Sequence, residues 1–220
     1  MAIIESGQVV DGIGVPLRVF PYRNSIPVNF VSDSASYAFS VVSNTLAAGQ
    51  VSNAVFFMAR NSATATRPIQ ITRFVLTWTT ITAFTTPITG GRQLGLIRGT
   101  STANPTGGLA TAAAVPLNST DPSSFFNSAN GGDIRISDTT ALTAVTGFTY
   151  EADPITVFPL TNLGNAGASR VFVLELDTLG SAPLILNASQ FICLRNINTV
   201  AFDGGGTWQI TVNVRYNELS

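Results

Sequence analysis

The stretch Trp208-Gln209-Ile210-Thr211-Val212-Asn213-Val214-Arg215-Tyr216 decides the fold class. Trp208, Ile210, Val212, Val214 and Tyr216 fall in one phase of a two-residue period, and Gln209, Thr211, Asn213 and Arg215 in the other. Successive side chains of an extended chain point to opposite faces. The alternation therefore predicts a strand with one face in a core and the other toward solvent or a neighbouring subunit. Upstream, Gln190 to Asn196 reads as a partner strand, and Asp203-Gly204-Gly205-Gly206 helps turn the chain between them. Arg170-Val171-Phe172-Val173-Leu174-Glu175-Leu176 is a third strand, and residues 154–160 form a fourth that Pro159 interrupts.

The first half continues the pattern. Ile69 and Ile71 occupy one phase, whereas Phe74, Leu76 and Trp78 occupy the other, so one long run predicts a β-bulge near Thr72-Arg73. Further strands are expected at residues 17–20, 26–31, 37–42, 51–59 and 93–98. Ser, Thr and Asn together supply 62 residues, with 19 Gly and 11 Pro, while the helix-favouring Glu, Gln, Lys and Met are scarce. Short alternating runs punctuated by Gly, Pro, Asn and Asp are the pattern of an all-β sandwich or barrel. The expected fold is an antiparallel β-sandwich, jelly-roll-like, with at most short helices. Spacing alone leaves the topology open.

Residues 16–220 read as a single sandwich domain, and residues 1–15 as an extended N-terminal arm or a first strand. Ile3-Ile4, Val9-Val10 and Gly12-Ile13-Gly14 would let that arm add a strand to a neighbour's sheet edge. A long loop is expected around 99–132, because Thr100 to Gly108 is rich in turn formers and Ala110 to Ala114 has little to pack. Within it, Asp121-Pro122-Ser123-Ser124-Phe125-Phe126 offers an N-cap followed by Pro at the first helical position. The Phe125-Phe126 pair would anchor the loop on the sandwich or on a neighbour.

Composition removes most chemistry. The chain has 220 residues and a mass of 23.1 kDa, with 45 % apolar residues and a mean hydropathy of +0.32, enough for one sizeable core. All 11 basic residues are Arg; Lys and His are absent. There is thus no Ser-His-Asp or Cys-His nucleophile, no His-containing metal site, no Lys Schiff base and no P-loop lysine. A net charge of −1 with no run of Arg argues against nucleic acid as a partner, since phosphate neutralisation supplies most sequence-independent affinity. No run of about 18 apolar residues crosses a membrane. The start Met1-Ala2-Ile3-Ile4-Glu5-Ser6-Gly7 lacks the pattern of a secretory signal, so the sequons at Asn118 and Asn187 are discounted.

The remaining candidates each have a plainer explanation. Glu151 with Asp153, and Glu175 with Asp177, share a face of an extended strand, yet glycosidase carboxylates usually come from different strands. Asp133 and Asp138 offer oxygens to Ca²⁺ but lack EF-hand spacing and read as turn residues. Gly12-Ile13-Gly14 and Gly204-Gly205-Gly206 open no helix after a strand and are not nucleotide fingerprints. Cys193, the single cysteine, lies in the apolar run Phe191-Ile192-Cys193-Leu194 and reads as a small buried hydrophobe. Trp78, Trp208, Tyr150 and Tyr216 would make a sugar-stacking platform, but both tryptophans are in phase with core neighbours. The expectation is no catalytic residue, no cofactor and no metal.

What the composition favours is assembly. Only 10 % of residues are charged, against roughly 25 % in ordinary soluble domains. Arg replaces Lys throughout, as at protein interfaces, and Ser, Thr and Asn form hydrogen bonds with little rotamer entropy to lose. Four segments then carry a resemblance: Phe148-Thr149-Tyr150-Glu151-Ala152-Asp153-Pro154-Ile155, Pro183-Leu184-Ile185-Leu186, Phe191-Ile192-Cys193-Leu194-Arg195-Asn196, and Thr207 through Glu218. Together this C-terminal third resembles the ends of small β-sandwich structural proteins of tailed bacteriophages, whose last strand closes similarly on an aromatic followed by Glu.

The resemblance implies a capsid decoration or cement protein, or another minor virion component, commonly a trimer, and implies no catalytic residue. The expected partners are the major capsid protein or other virion proteins and further copies of the chain. The expected location is the virion, at the capsid surface, after synthesis in the host cytoplasm. The alternative is a receptor- or glycan-binding module of a tail fibre or spike. A carboxylate-based carbohydrate enzyme and a host lectin-like or pilus-type protein stand further back.

Overall fold

A computed structural model describes residues 3–5, 8–10, 16–17, 35–47, 49–86, 88, 91–110, 113–143, 147–160, 165–176, 183–202 and 205–219. The chain divides into two compact units, Met1–Ser34 and Ala35–Ser220. In the first, β1 (Ile3–Glu5), β2 (Gln8–Val10) and β3 (Pro16–Leu17) pair antiparallel in that order. The backbone near the N-terminus thus finds its partners within the chain. Gly12-Ile13-Gly14 and the strand expected at 26–31 lie outside the described residues.

The second unit holds β4 (Ala35–Val42), β5 (Val55–Arg60), β6 (Ile69–Thr82), β7 (Gln93–Thr100), β8 (Leu109–Ala110), β9 (Val115–Pro116), β10 (Asp133–Ile136), β11 (Thr149–Tyr150), β12 (Thr156–Pro159), β13 (Ser169–Glu175), β14 (Leu184–Leu186), β15 (Gln190–Asn196) and β16 (Thr207–Glu218). They form two antiparallel sheets. One runs β13-β6-β16-β4-β9, with β14 also on β6; the other runs β11-β7-β15-β5-β10-β8, with β12 also on β7.

Eight of these strands make the framework. In chain order they are β4, β5, β6, β7, β12, β13, β15 and β16. The first pairs with the last, the second with the seventh, the third with the sixth and the fourth with the fifth. That nesting is one long hairpin rolled into two sheets, the arrangement of a jelly roll. The sequence-based sandwich is present, and the topology that spacing left open is now explicit.

The apolar phase of β16 faces the core as its sequence requires: Trp208, Ile210, Val212, Val214 and Tyr216 are all buried. They meet Phe57, Leu94, Leu96, Ile192 and Leu194 from the other sheet in one cluster. Trp78 and Trp208 stack with centroids 4.2 Å apart, and Phe56 meets Trp208 edge-on at 4.8 Å. Each such side chain contributes about 1.5–3 kcal/mol by leaving water.

The bulge falls where the phase change put it. Arg215 pairs with Arg73, and the next residue, Tyr216, pairs with Ile71, so Thr72 is the extra residue on β6. The strand expected at 51–59 starts later, at Val55, because Asn53 takes a positive φ of 64° in a turn. Pro159 sits at the end of β12, an edge strand, where a missing N–H removes no bond inside the sheet.

Residues 99–132 are more structured than a loop. They contain β8, β9 and a 3₁₀ turn at Ser128–Asn130. No helix starts at Asp121; the Pro122 carbonyl instead accepts from the Tyr37 hydroxyl at 2.9 Å, and the Phe125 N–H donates to Glu218 Oε1 at 2.7 Å. Tertiary partners satisfy the groups a first helical turn would have used. Phe126 is buried in the main core and anchors the segment.

Candidate interaction surface

The acidic residues singled out in the sequence end in separate places. Glu151 follows β11 and takes Arg98 Nε at 2.6 Å; Glu175 ends β13 in the other sheet and takes Arg73 Nε at 2.8 Å. Asp133 is paired with Arg135, and Asp138 accepts from Asn44 Nδ2 at 2.6 Å. Asp153 is exposed, and Asp177 lies outside the described residues. Among the described residues no group of three His, Cys, Asp or Glu side chains converges as metal ligands would.

The other candidates are structural. Trp78, Trp208 and Tyr216 are core residues and offer no platform to a sugar. Tyr150 is half-buried between Phe191 and Arg195, whose guanidinium lies 4.5 Å from its ring centre. Cys193 is fully buried, and burial pushes its thiol up to about 12, so the reactive thiolate is suppressed.

Two buried polar nodes emerge that sequence reasoning missed. At the first, Glu218 receives the Phe125 N–H, and the Ser124 hydroxyl lies against both Glu218 and the Tyr216 hydroxyl. Burial pushes the Glu218 carboxyl above its usual range and the Tyr37 phenol up to about 12. A signal existed: Glu218 continues the inward phase of β16. At the second, the buried Arg60 donates to Asn104 Oδ1 at 2.6 Å, to the Gly131 carbonyl at 2.7 Å and to the Asn61 and Ser101 carbonyls at 3.3 Å. Desolvation lowers the guanidinium's affinity for its proton, and Asp133 offsets this. Both nodes hold loops onto the sandwich.

The two outer faces of the sandwich differ. On the outside of the β7-β15-β5 sheet there is a second core: Val55, Met58, Ile97, Leu142, Phe191 and Cys193, with Phe148, Tyr150 and Ile197 against them. The approach is close. A Cβ at Gly99 would collide with the Phe191 ring and the Thr149 carbonyl.

Among the described residues of the Ala35–Ser220 unit, no comparable cluster packs on the outer face of β13-β6-β16-β4-β9. Strand register lays it out in rows. Val171, Thr77, Thr211 and Val42 form one; Val173, Val75, Asn213 and Ser40 the next; Glu175, Arg73, Arg215, Ala38 and Val115 a third. Charge is confined to the third row. Val171 is 57 % exposed, Val173 52 %, Val42 47 % and Val115 63 %, far above the level of core valines. Leu117 continues this margin, its N–H donating to the Ser36 carbonyl, and Ile81 is exposed on the same face.

No family model, curated protein or solved structure matches the chain.

Proposed function

We propose that the chain is a non-enzymatic structural protein of a virus particle, a decoration or cement protein at the capsid surface that works as a homo-oligomer. The observation that carries the proposal is a sheet face with exposed valines at its margins and charge held to one row, on which no cluster of described residues in the same unit packs. Exposed β-branched side chains in contiguous rows mark an interaction surface. The candidate acids form separate pairs instead of a site, which favours adhesion over chemistry. Support also comes from the jelly-roll nesting, an architecture used in viral capsids and in lectins. The lectin side of that pair loses its candidate residues, because the tryptophans are in the core.

The mechanism is mass action. A rigid sandwich that buries area only where lattice subunits meet binds the assembled shell better than free subunits, and so shifts the equilibrium toward the intact particle. Arg, Thr, Ser and Asn side chains suit such contacts, since they hydrogen-bond across an interface at low entropic cost.

The test is quantitative mass spectrometry of purified particles of the virus that encodes the chain. Copy numbers in the hundreds are expected. A dozen copies or fewer would move the protein to the tail or neck, and absence from particles together with glycan-array binding would replace this proposal with the receptor-binding module.

A further inference from the structure

We infer that two copies of this chain join edge to edge, β13 pairing antiparallel with β13 of a second copy about a twofold axis at Phe172. One sheet then runs through both copies. The inference makes specific the self-association in the proposed function and does not rest on the virion location.

The first observation is the edge itself. Among the described residues of the Ala35–Ser220 unit, the other sheet margins carry the two-residue strands β8, β9 and β11, or β12, which Pro159 ends. β13 is seven residues long, pairs with β6 in unbroken register and contains no Pro. Val171 and Val173 are exposed on it, and Phe172 and Leu174 are half-buried. Its charge stands only toward its ends, at Arg170 and Glu175. Sheet edges avoid pairing through short strands, Pro, bulges and central charge, and a long apolar edge without them is a template for another strand.

The second observation is the direction of the peptide groups. The Leu176 N–H donates to the Thr72 carbonyl and the Thr80 N–H to the Ala168 carbonyl, both at 2.8 Å. With the register unbroken between them, the even-numbered residues of β13 bond to β6. Ser169, Val171, Val173 and Glu175 therefore turn their N–H and C=O groups away from the sheet. A twofold axis normal to the sheet keeps each face on its own side, so paired residues must share parity. An axis at Phe172 meets that condition. It sets Val171 against Val173 of the second copy and Ser169 against Glu175, so every outward N–H finds a carbonyl. Phe172 meets its own counterpart at the narrow, non-hydrogen-bonded site, where opposed Cα atoms stand about 4.5 Å apart.

The third observation identifies a second β13 as the occupant. The centre of the edge, Val171-Phe172-Val173, reads the same in both directions, as an isologous contact requires. Antiparallel pairing also sets the Arg170 end of one copy beside the Glu175 end of the other, whereas parallel pairing would set like charge beside like. The other margins of the unit offer no strand of matching length, so a head-to-tail ring built on this edge, such as the trimer the phage resemblance implies, has no second surface to use.

The experiment is sedimentation equilibrium on the full-length chain at high micromolar concentration. Wild type is expected at twice its 23.1 kDa chain mass. Val171→Pro removes an outward N–H and no bond to β6, a change edge strands tolerate, and should halve that mass while the cooperative melt is kept. Val171→Glu and Val173→Arg each set like charges on diagonal sites across the axis and should also give single chains. Mixing these two variants should restore the double mass, because Glu at 171 of one copy then faces Arg at 173 of the other. Val42→Glu, exposed on the same sheet but on β4, should stay dimeric. A monomeric wild type would leave the edge to a strand of another protein and overturn the pairing. A trimeric wild type, edge variants that stay dimeric, a mixture that stays monomeric or a monomeric Val42→Glu chain would overturn it equally. The measurement needs no particle, so a dimer absent from virions would overturn the proposed location alone.

Discussion

Glu218 is a carboxyl group in the apolar phase of a strand, and its consequences are measurable. Desolvation raises its proton affinity, while the Phe125 N–H and the Ser124 hydroxyl act in the opposite direction. Because its folded-state pKa lies above the unfolded value, the native state holds the proton more tightly. The associated stability is fully present below the ordinary carboxylate range and is lost as pH rises through the raised value. Glu218→Gln keeps an oxygen for the Phe125 N–H and cannot ionise. Its melting temperature relative to wild type should therefore rise from acidic toward neutral pH; a difference that stays flat with pH would show that Glu218 does not titrate anomalously. The sequence placed Glu218 inward through its phase in β16. It held no sign of the partner, because Phe125 lies |i−j| = 93 away and meets Glu218 only when the loop folds back.

At the scale of elements, periodicity was a reliable guide wherever one face is core. The phase break at Thr72-Arg73 is the clearest case, since a one-residue offset in a strand moves every following side chain to the opposite face. Thr72 is accommodated as an extra residue, which lets Ile69 and Ile71 share the core with Phe74, Leu76 and Trp78. Deleting Thr72 should turn one set outward and abolish folding, read as loss of the cooperative thermal transition. Thr72→Ala, which keeps the spacing and removes only the hydroxyl's bond to the Arg215 carbonyl, should cost about 1 kcal/mol or less by urea titration. The helix expected at Asp121 fails for a reason no local signal carries. Cap and proline favour a first turn, but Tyr37 and Glu218 on the sandwich compete for the same backbone groups. Turn-rich composition likewise could not announce β8 and β9, two-residue strands whose pairing depends on β10 and β4.

Across the whole molecule, the nested pairing ties the last strand to the first. Ser36 Oγ donates to Asn217 Oδ1 at 2.7 Å across |i−j| = 181, and β16 lies between β4 and β6 in the middle of its sheet. Removing residues 207–220 would leave both neighbours with unpaired edges and expose the Trp78 side of the core. The truncated chain is expected to show no cooperative unfolding transition, whereas a native-like melt would mean the sheet closes without its centre. Contacts this distant in sequence also place the chain among slow folders.

The amino-acid sequence by itself determined the secondary-structure class, the inward and outward phase of each long strand, the bulge, and the absence of histidine and lysine chemistry. These follow from single-residue properties and from a two-residue period that needs no partner. Only the tertiary structure decided which strands pair, which outer face Leu142, Phe148 and Tyr150 pack on, and where the described acidic residues go. Pairing order and coverage arise from contacts between segments far apart in the chain. Local pattern contains no term for such contacts, so the difference between the two outer faces became visible only once the hairpin was rolled.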